Sequence, residues 1–267
     1  MELYHALTLG IIQGFTEVLP ISSSAHLILL PTLANWKQSG ITFDVALHLG
    51  TFIALFVYFR QDVVQMIREG LSGFSRSDSD RRLKLPWMIV AASVPAALVG
   101  KTLEEPIEAI FRSNSVIIAL LLIGFGLVLG LADTFNKRSL NLEQITTRHA
   151  IIIGTAQCLA LMPGVSRSGI TITAALLLGL CRTDAARFSF LLSLPIVFGA
   201  ALLKTLHILK HGIEPGMLQP MLIGITCSAV TGYISVAFLL RFVQNRSLWA
   251  FSWYRCILGA VLLLWFI

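Results

Sequence analysis

Two apolar stretches of this chain are broken in the middle by proline and serine, and each carries one charge. Residues 3–18 and 21–34 are too short to span a bilayer alone, as are 148–162 and 168–181; a spanning helix takes about 20 apolar residues. The breaks read Pro20-Ile21-Ser22-Ser23-Ser24 and Pro163-Gly164-Val165-Ser166-Arg167-Ser168. Glu17 is the single formally charged residue between Leu3 and Trp36, and Arg167 is the single one between His149 and Cys181. A charge in membrane-grade sequence is costly to keep and marks a functional site with a partner. Backbone broken at membrane depth must line a protein cavity, so the two pairs are expected to be re-entrant or discontinuous helices.

The rest of the chain is made for lipid. Of 267 residues, 56% are hydrophobic and 13% charged, with a mean hydropathy of +0.81; this fits an integral membrane protein and leaves no polar segment long enough for a soluble domain. Six further apolar runs, 43–60, 86–103, 115–133, 186–206, 219–242 and 252–267, have the length of spans. The net charge of +6 is read as loop bias and contact with anionic membrane lipids, not as a nucleic-acid surface, because no basic, aromatic-interleaved face exists. Cys158, Cys181, Cys227 and Cys256 have no metal-ligand spacing and are read as reduced, neutral thiols.

The halves resemble each other. Gly10-Ile11-Ile12-Gln13 recurs as Gly154-Thr155-Ala156-Gln157, and Pro86-Trp87-Met88-Ile89 as Pro220-Met221-Leu222-Ile223. Phe43 to Gly50 is loosely echoed by Phe188 to Pro195. The expected fold is an all-α polytopic membrane protein, one domain over 1–267, built from two inverted-topology repeats (about 1–133 and 148–267), each a re-entrant hairpin plus three transmembrane helices. The loop from Gln61 to Leu85, with Arg68, Arg76, Arg81, Arg82 and Lys84 and Arg60 at its edge, is expected to be cytoplasmic. Three spans per half put Lys137, Arg138, Arg148, Arg241 and Arg246 on that side too, and Glu104, Glu105 and Glu108 opposite. Hairpin one then enters from outside and hairpin two from inside, and their tips meet near the midplane. Residues 72–85 are read as a polar linker.

The tips carry phosphate chemistry. Gln13 and Glu17, four apart, share a helix face with Thr16 beside them. Ser22, Ser23 and Ser24 precede a second helix with His26 in its first turn, and hydroxyls at a helix N-terminus favour anions. Ser166, Arg167, Ser168 and Thr171 repeat that logic, with a guanidinium suited to phosphate oxygens. A phosphate clamp, a hydroxyl nucleophile (Ser22 or Ser23) and acid–base groups (His26, Glu17) form a kit for phosphoryl transfer. The same residues admit other readings: serines bonded to their own helix, a purely structural Glu17–Arg167 pair, or a transporter site without chemistry. His48, Asp44 and Asp133 lie near span ends and are read as structural.

Gln13-Gly14-Phe15-Thr16-Glu17-Val18-Leu19-Pro20-Ile21-Ser22-Ser23-Ser24-Ala25-His26 and Pro163-Gly164-Val165-Ser166-Arg167-Ser168-Gly169-Ile170-Thr171 resemble the two motifs of the undecaprenyl-diphosphate phosphatases of the bacitracin-resistance type. Phe188-Ser189-Phe190-Leu191-Leu192 and Tyr254-Arg255 fit that family as well, so the resemblance covers nearly the whole chain. It implies hydrolysis of a C55 polyprenyl diphosphate lipid to the monophosphate at an outward-facing site of the bacterial plasma (inner) membrane, recycling the carrier for cell-wall synthesis and conferring bacitracin resistance. It implies Glu17, Ser23, His26 and Arg167 as catalytic residues, with Ser166, Ser168 and Thr171 lining the phosphate; Gln13, Ser22 and Ser24, on the same tips, are expected to bind the substrate as well. A divalent cation is implied, Mg2+ or Ca2+, with Glu17 as its ligand; many members have Glu where this chain has Gln13, so a two-carboxylate site cannot form here. Ser23 is the preferred attacking group, a His26-activated water the other, with Glu17 expected to orient His26 or to hold the metal. A homodimer is compatible with the sequence, and a phosphatase of the phosphatidic-acid type fits only the Ser-Ser-Ala-His run.

Overall fold

The computed structural model describes residues 2–37, 39–72, 85–112, 114–211 and 215–266. Among them the chain is all-helical: α1 (Leu3–Val18), α2 (Ser23–Leu33), α3 (Ile41–Tyr58), α4 (Arg60–Ser72), α5 (Leu85–Arg112), α6 (Ser115–Phe135), α7 (Thr147–Ala156), α8 (Arg167–Leu177), α9 (Arg182–His211), α10 (Leu218–Asn245) and α11 (Trp249–Phe266). Five of these are long and apolar enough to cross a membrane, and the bent pair of α3 and α4 makes up to six. The chain is a multi-pass membrane protein.

The two breaks have local causes. Proline disfavours helical backbone in the residue before it and cannot donate to the helix; Leu19, ahead of Pro20, is extended at φ −68°, ψ 143° and ends α1. Ser22 then starts α2 from φ 75°. In the second pair α7 tightens into a 3-10 turn over Gln157–Leu161, and Met162 is extended ahead of Pro163. Gly164 follows at φ +104°, where a Cβ would lie 2.7 Å from the Ile118 carbonyl oxygen, so only glycine fits. Ser166 starts α8 from φ 72°. Both hairpins thus turn on a serine in a conformation that non-glycine residues avoid and that gathers at functional sites.

Helix α1 packs on α10 and α3, α7 packs on α5, and α8 sits among α6, α7 and α9. Ala25, Ile28 and Leu29 of α2 share an apolar cluster with Ile118, Ala119 and Leu122 of α6 and Leu262 of α11. At one end of the molecule, Asp133 is fully buried. It accepts from the Arg182 guanidinium, from Ser247 Oγ (2.6 Å) and from the Leu248 N–H (3.0 Å), which joins α6, α9 and the α10–α11 turn.

One expectation needs correction. The start of the polar loop expected from Gln61 is helix α4, set at 77° to α3. Its Val63 and Met66 pack on the main core while Val64, Ile67 and Leu71 are exposed, and Arg187 pairs with Asp62 across to α9. Charge read as loop is here the polar side of an amphipathic helix, the pattern of a segment lying along a membrane interface. Arg76, Arg81, Arg82, Lys84 and most of the expected linker lie outside the described residues, as do the side chains of Glu104, Glu105 and Glu108.

Candidate active site at the junction of the hairpin tips

Glu17 and Arg167, 150 residues apart, meet where the two hairpin tips touch. Arg167 Nη2 donates to Glu17 Oε1 at 2.5 Å. The other carboxylate oxygen accepts from Ser23 Oγ at 2.5 Å and from Gln13 Nε2 at 3.2 Å. Gln13 is fully buried, and Glu17 and Ser23 are 7% and 9% exposed. In so dry a place hydrogen bonds to charge are short and strong. Gln13 and Glu17 face the same way because they are one helical turn apart.

Two polar atoms in this cluster are buried without a partner, Gln13 Oε1 and Arg167 Nη1. One is an acceptor and the other a donor. A buried polar group left unbonded costs about 1–3 kcal/mol, so the pair marks a place for an oxygen-rich anion and its counter-ions or water.

The hydroxyls divide into two sets. Ser22 Oγ accepts from the Gly164 N–H (3.1 Å) and Ser168 Oγ donates to the Leu19 carbonyl (3.2 Å), so each hairpin bonds the other. Ser166 Oγ caps α8 by accepting from Gly169 N–H at 3.1 Å, whereas α2 has no side-chain cap, leaving its first N–H groups for a ligand or water. Ser24 Oγ lies 3.3 Å from Ser22 Oγ. Thr171 is not brought into the cluster: its hydroxyl donates to the Arg167 carbonyl and lies 2.6 Å from Ser189 Oγ on α9.

His26 is held apart from Glu17, against the expectation that the carboxylate orients it. Its Nδ1 lies 2.7 Å from the Ser22 carbonyl and its Nε2 lies 2.7 Å from Tyr254 Oη. A carbonyl only accepts, so Nδ1 carries the proton and the lone pair of neutral His26 is on Nε2. The Tyr254 ring stacks on the imidazole at 5.8 Å and 8°. The carboxylate is instead bonded to Arg167, Ser23 and Gln13.

Sequence reasoning passed over three neighbours of the site. His48, read as structural, brings Nδ1 to 3.0 Å from Gln13 Nε2 and 3.5 Å from Glu17 Oε2. Its position at a span end hid this, and no spacing in the sequence announces it. Tyr254 touches His26, and Arg255 is buried behind both tips. Arg255 did carry a signal: it is the single formally charged residue in α11, the same feature that singles out Glu17 and Arg167.

Comparison with known proteins places the chain in a family. The family described as "Bacitracin resistance protein BacA" matches residues 6–261. Relatives include proteins named "Undecaprenyl-diphosphatase" from Trichlorobacter lovleyi, 68% identical over 97% of this chain and 95% of that protein, and from Geobacter metallireducens, 62% identical over 99% and 98%. A more distant one, of the same name, from Thermomicrobium roseum is 45% identical over 99% and 98%. On a match that runs nearly end to end, this chain belongs to the bacitracin resistance protein BacA family.

Proposed function

We propose that this protein is a membrane-embedded phosphatase that removes the terminal phosphate of undecaprenyl diphosphate. The product, undecaprenyl phosphate, returns to carry cell-wall precursors, and bacitracin resistance is typical of the family. One observation carries the mechanism: a single carboxylate, Glu17, is shared between the hydroxyl of Ser23 and the guanidinium of Arg167.

Ser23 Oγ attacks the terminal phosphorus while its proton passes to Glu17, to which it is already bonded. The bond from phosphorus to the bridging oxygen breaks, and the lipid monophosphate leaves. Arg167 turns its unpartnered Nη1 to the phosphoryl oxygens, and the uncapped start of α2 adds N–H groups beside them; charge neutralisation and positioning are what this reaction asks of a protein. His26, three residues after Ser23 and so on the same helix face, uses Nε2 to take a proton from the water that attacks the phosphoserine. Glu17 returns its proton to Ser23 Oγ, His26 gives its proton to the departing phosphate, and inorganic phosphate leaves.

A divalent cation, Mg2+ or Ca2+, fits this donor set in one way. No group of three or more His, Cys, Asp or Glu that could hold a metal exists among the described residues, so a full protein cage is not available. Glu17 and the orphaned Gln13 Oε1 would hold a hard cation that keeps its waters and takes its other ligands from the diphosphate. When bound, such a cation neutralises charge on the leaving and transferring phosphates.

We also propose that the two halves are inverted repeats. In support, Gly10 and Gly154, at matching places in the two hairpins, each lie against the middle span of the other half. A Cβ on Gly10 would be 2.8 Å from Gly224 O of α10, and one on Gly154 would be 2.7 Å from Ala92 Cα of α5. Arg60, Arg68, Arg182 and Arg187 belong to the end joined by the Asp62–Arg187 and Asp133–Arg182 pairs. The start of α1 lies at the opposite end of α3, where Tyr4 and His5 pack on Trp36. Basic residues favour the cytoplasm, so hairpin one enters from the outer side of the inner membrane and the site opens there.

The test is release of inorganic phosphate from a polyprenyl diphosphate in detergent, with Mg2+ and then with EDTA, for the wild type and Arg167→Ala. Metal-dependent release that is lost in a folded Arg167→Ala variant is expected. Folded wild type that binds the lipid and releases no phosphate overturns the reading in favour of transport.

A further inference from the structure

Arg255 is the largest fully buried side chain among the described residues. Its Nη2 donates to the carbonyls of Gly164 (2.8 Å) and Val165 (2.9 Å), its Nη1 reaches the Pro20 carbonyl at 3.4 Å, and its Nε donates to Leu122 O at 3.3 Å. All four acceptors are backbone. The acids of the site and of the helix ends pair elsewhere, Glu17 with His48 and Arg167, Asp133 with Arg182 and Asp62 with Arg187, and no carboxylate among the described residues is seen to neutralise Arg255. An isolated buried charge inside a membrane protein is expensive, and proteins keep such groups for function.

Its placement says what that function is. Pro20 belongs to the first hairpin break, and Gly164 and Val165 to the second. The fork brackets the turn whose backbone is least comfortable, between Gly164 at φ 104° and Ser166 at φ 72°. A peptide N–H points opposite to its C=O, so pinning the Val165 carbonyl on Arg255 turns the Ser166 N–H away from it. The guanidinium lies against the first turn of α8: its Nη1 is 2.8 Å from where a Cβ on Gly169 would be. Glu17 and Arg167 cancel each other at the junction, so Arg255 gives the tips a surplus positive charge that water cannot reach.

We infer that Arg255 is a positioning residue for the diphosphate. It holds the two broken helices in their reactive geometry through the backbone, and it supplies from behind the net positive charge that the substrate anion offsets. This rests on the phosphatase reading above for its substrate, while its binding arm does not depend on turnover. A lysine keeps the charge but is a point donor that cannot bridge the carbonyls as a planar fork does; a glutamine removes the charge.

The experiment compares wild type, Arg255→Lys and Arg255→Gln, purified in detergent and checked for a single folded species. Affinity is read with farnesyl methylenediphosphonate, which cannot be hydrolysed, and kcat and KM with a polyprenyl diphosphate. Arg255→Gln is expected to bind the probe about tenfold or more weakly, since the anion loses a buried positive charge that offsets it. Arg255→Lys stays within about threefold in affinity but loses about tenfold or more in kcat, from displaced tips. A residue that only stabilises the fold lowers thermal stability and leaves affinity and kcat per folded molecule alone; that result overturns the inference. If Arg255→Gln does not fold, Arg255→Lys decides, and wild-type kcat in it overturns the positioning role. Wild type that binds the probe but hydrolyses nothing sinks the phosphatase reading, while the affinities of the variants still judge Arg255.

Discussion

Glu17→Gln is the sharpest probe of the junction, because it changes one atom and nothing in shape. The carboxylate accepts from Arg167, Ser23 and Gln13. Removing one partner of a buried ion pair costs about 3–5 kcal/mol. Here Arg167 is still 16% exposed and the amide oxygen can keep one of the bonds, which brings the loss to about 2 kcal/mol. For a chain of this size that is a fall in Tm of about 4–8 °C. The catalytic loss is larger: an amide cannot take the Ser23 proton, and a missing general base costs about 10²–10⁴-fold in kcat. Ligand affinity should move the other way. With the carboxylate gone, Arg167 is released to the phosphate and a like charge is removed; at an effective dielectric of about 20 that repulsion is about 3 kcal/mol at roughly 5 Å. In EDTA, binding of a non-hydrolysable prenyl diphosphonate is therefore expected to hold steady or tighten up to about tenfold. Phosphate release, thermal unfolding and probe binding on one preparation decide it. A kcat within threefold of wild type, or affinity that falls together with kcat, refutes the assignment of Glu17 as the base and returns it to a structural ion pair.

Ser23→Ala removes the proposed nucleophile and a donor to Glu17, leaving Arg167 in place. Turnover should fall about 10³-fold or more with probe affinity within about threefold, whereas a mutant that stays active shows that water attacks directly. Asp133→Asn tests the far end of the molecule, where a fully buried carboxylate holds Arg182, Ser247 and Leu248. It should cost about 2–4 kcal/mol, about 4–16 °C in Tm, with phosphate release per folded molecule unchanged; an equal loss of activity argues that this clamp is coupled to the tips.

Much of this could be read from one dimension. The apolar runs predicted the six long helices, and the two breaks were located to within a residue or two, because proline acts on its immediate neighbour. Glu17 and Arg167 stood out because a lone charge in lipid-grade sequence has so few explanations. Where local rules gave out, the reading slipped. The charged start of the 61–85 segment became helix α4, since amphipathic helix and polar loop look alike when the surface they lie on is unknown. The contacts of Thr171 with Ser189, and of His26 with Tyr254 and the Ser22 carbonyl, are likewise ones that no spacing announced.

By itself, then, the sequence determined that the chain enters a membrane, where its helices break, and which family its motifs belong to. These are properties of composition, backbone sterics and motif, each set within a few residues. Only the tertiary structure decided that Glu17 is divided between Ser23 and Arg167, that His48 and Tyr254 stand at the site, and that Arg255 reaches both tips from α11. Those are contacts between residues from 6 to 235 positions apart, and a chain's order along its length does not carry distance in space.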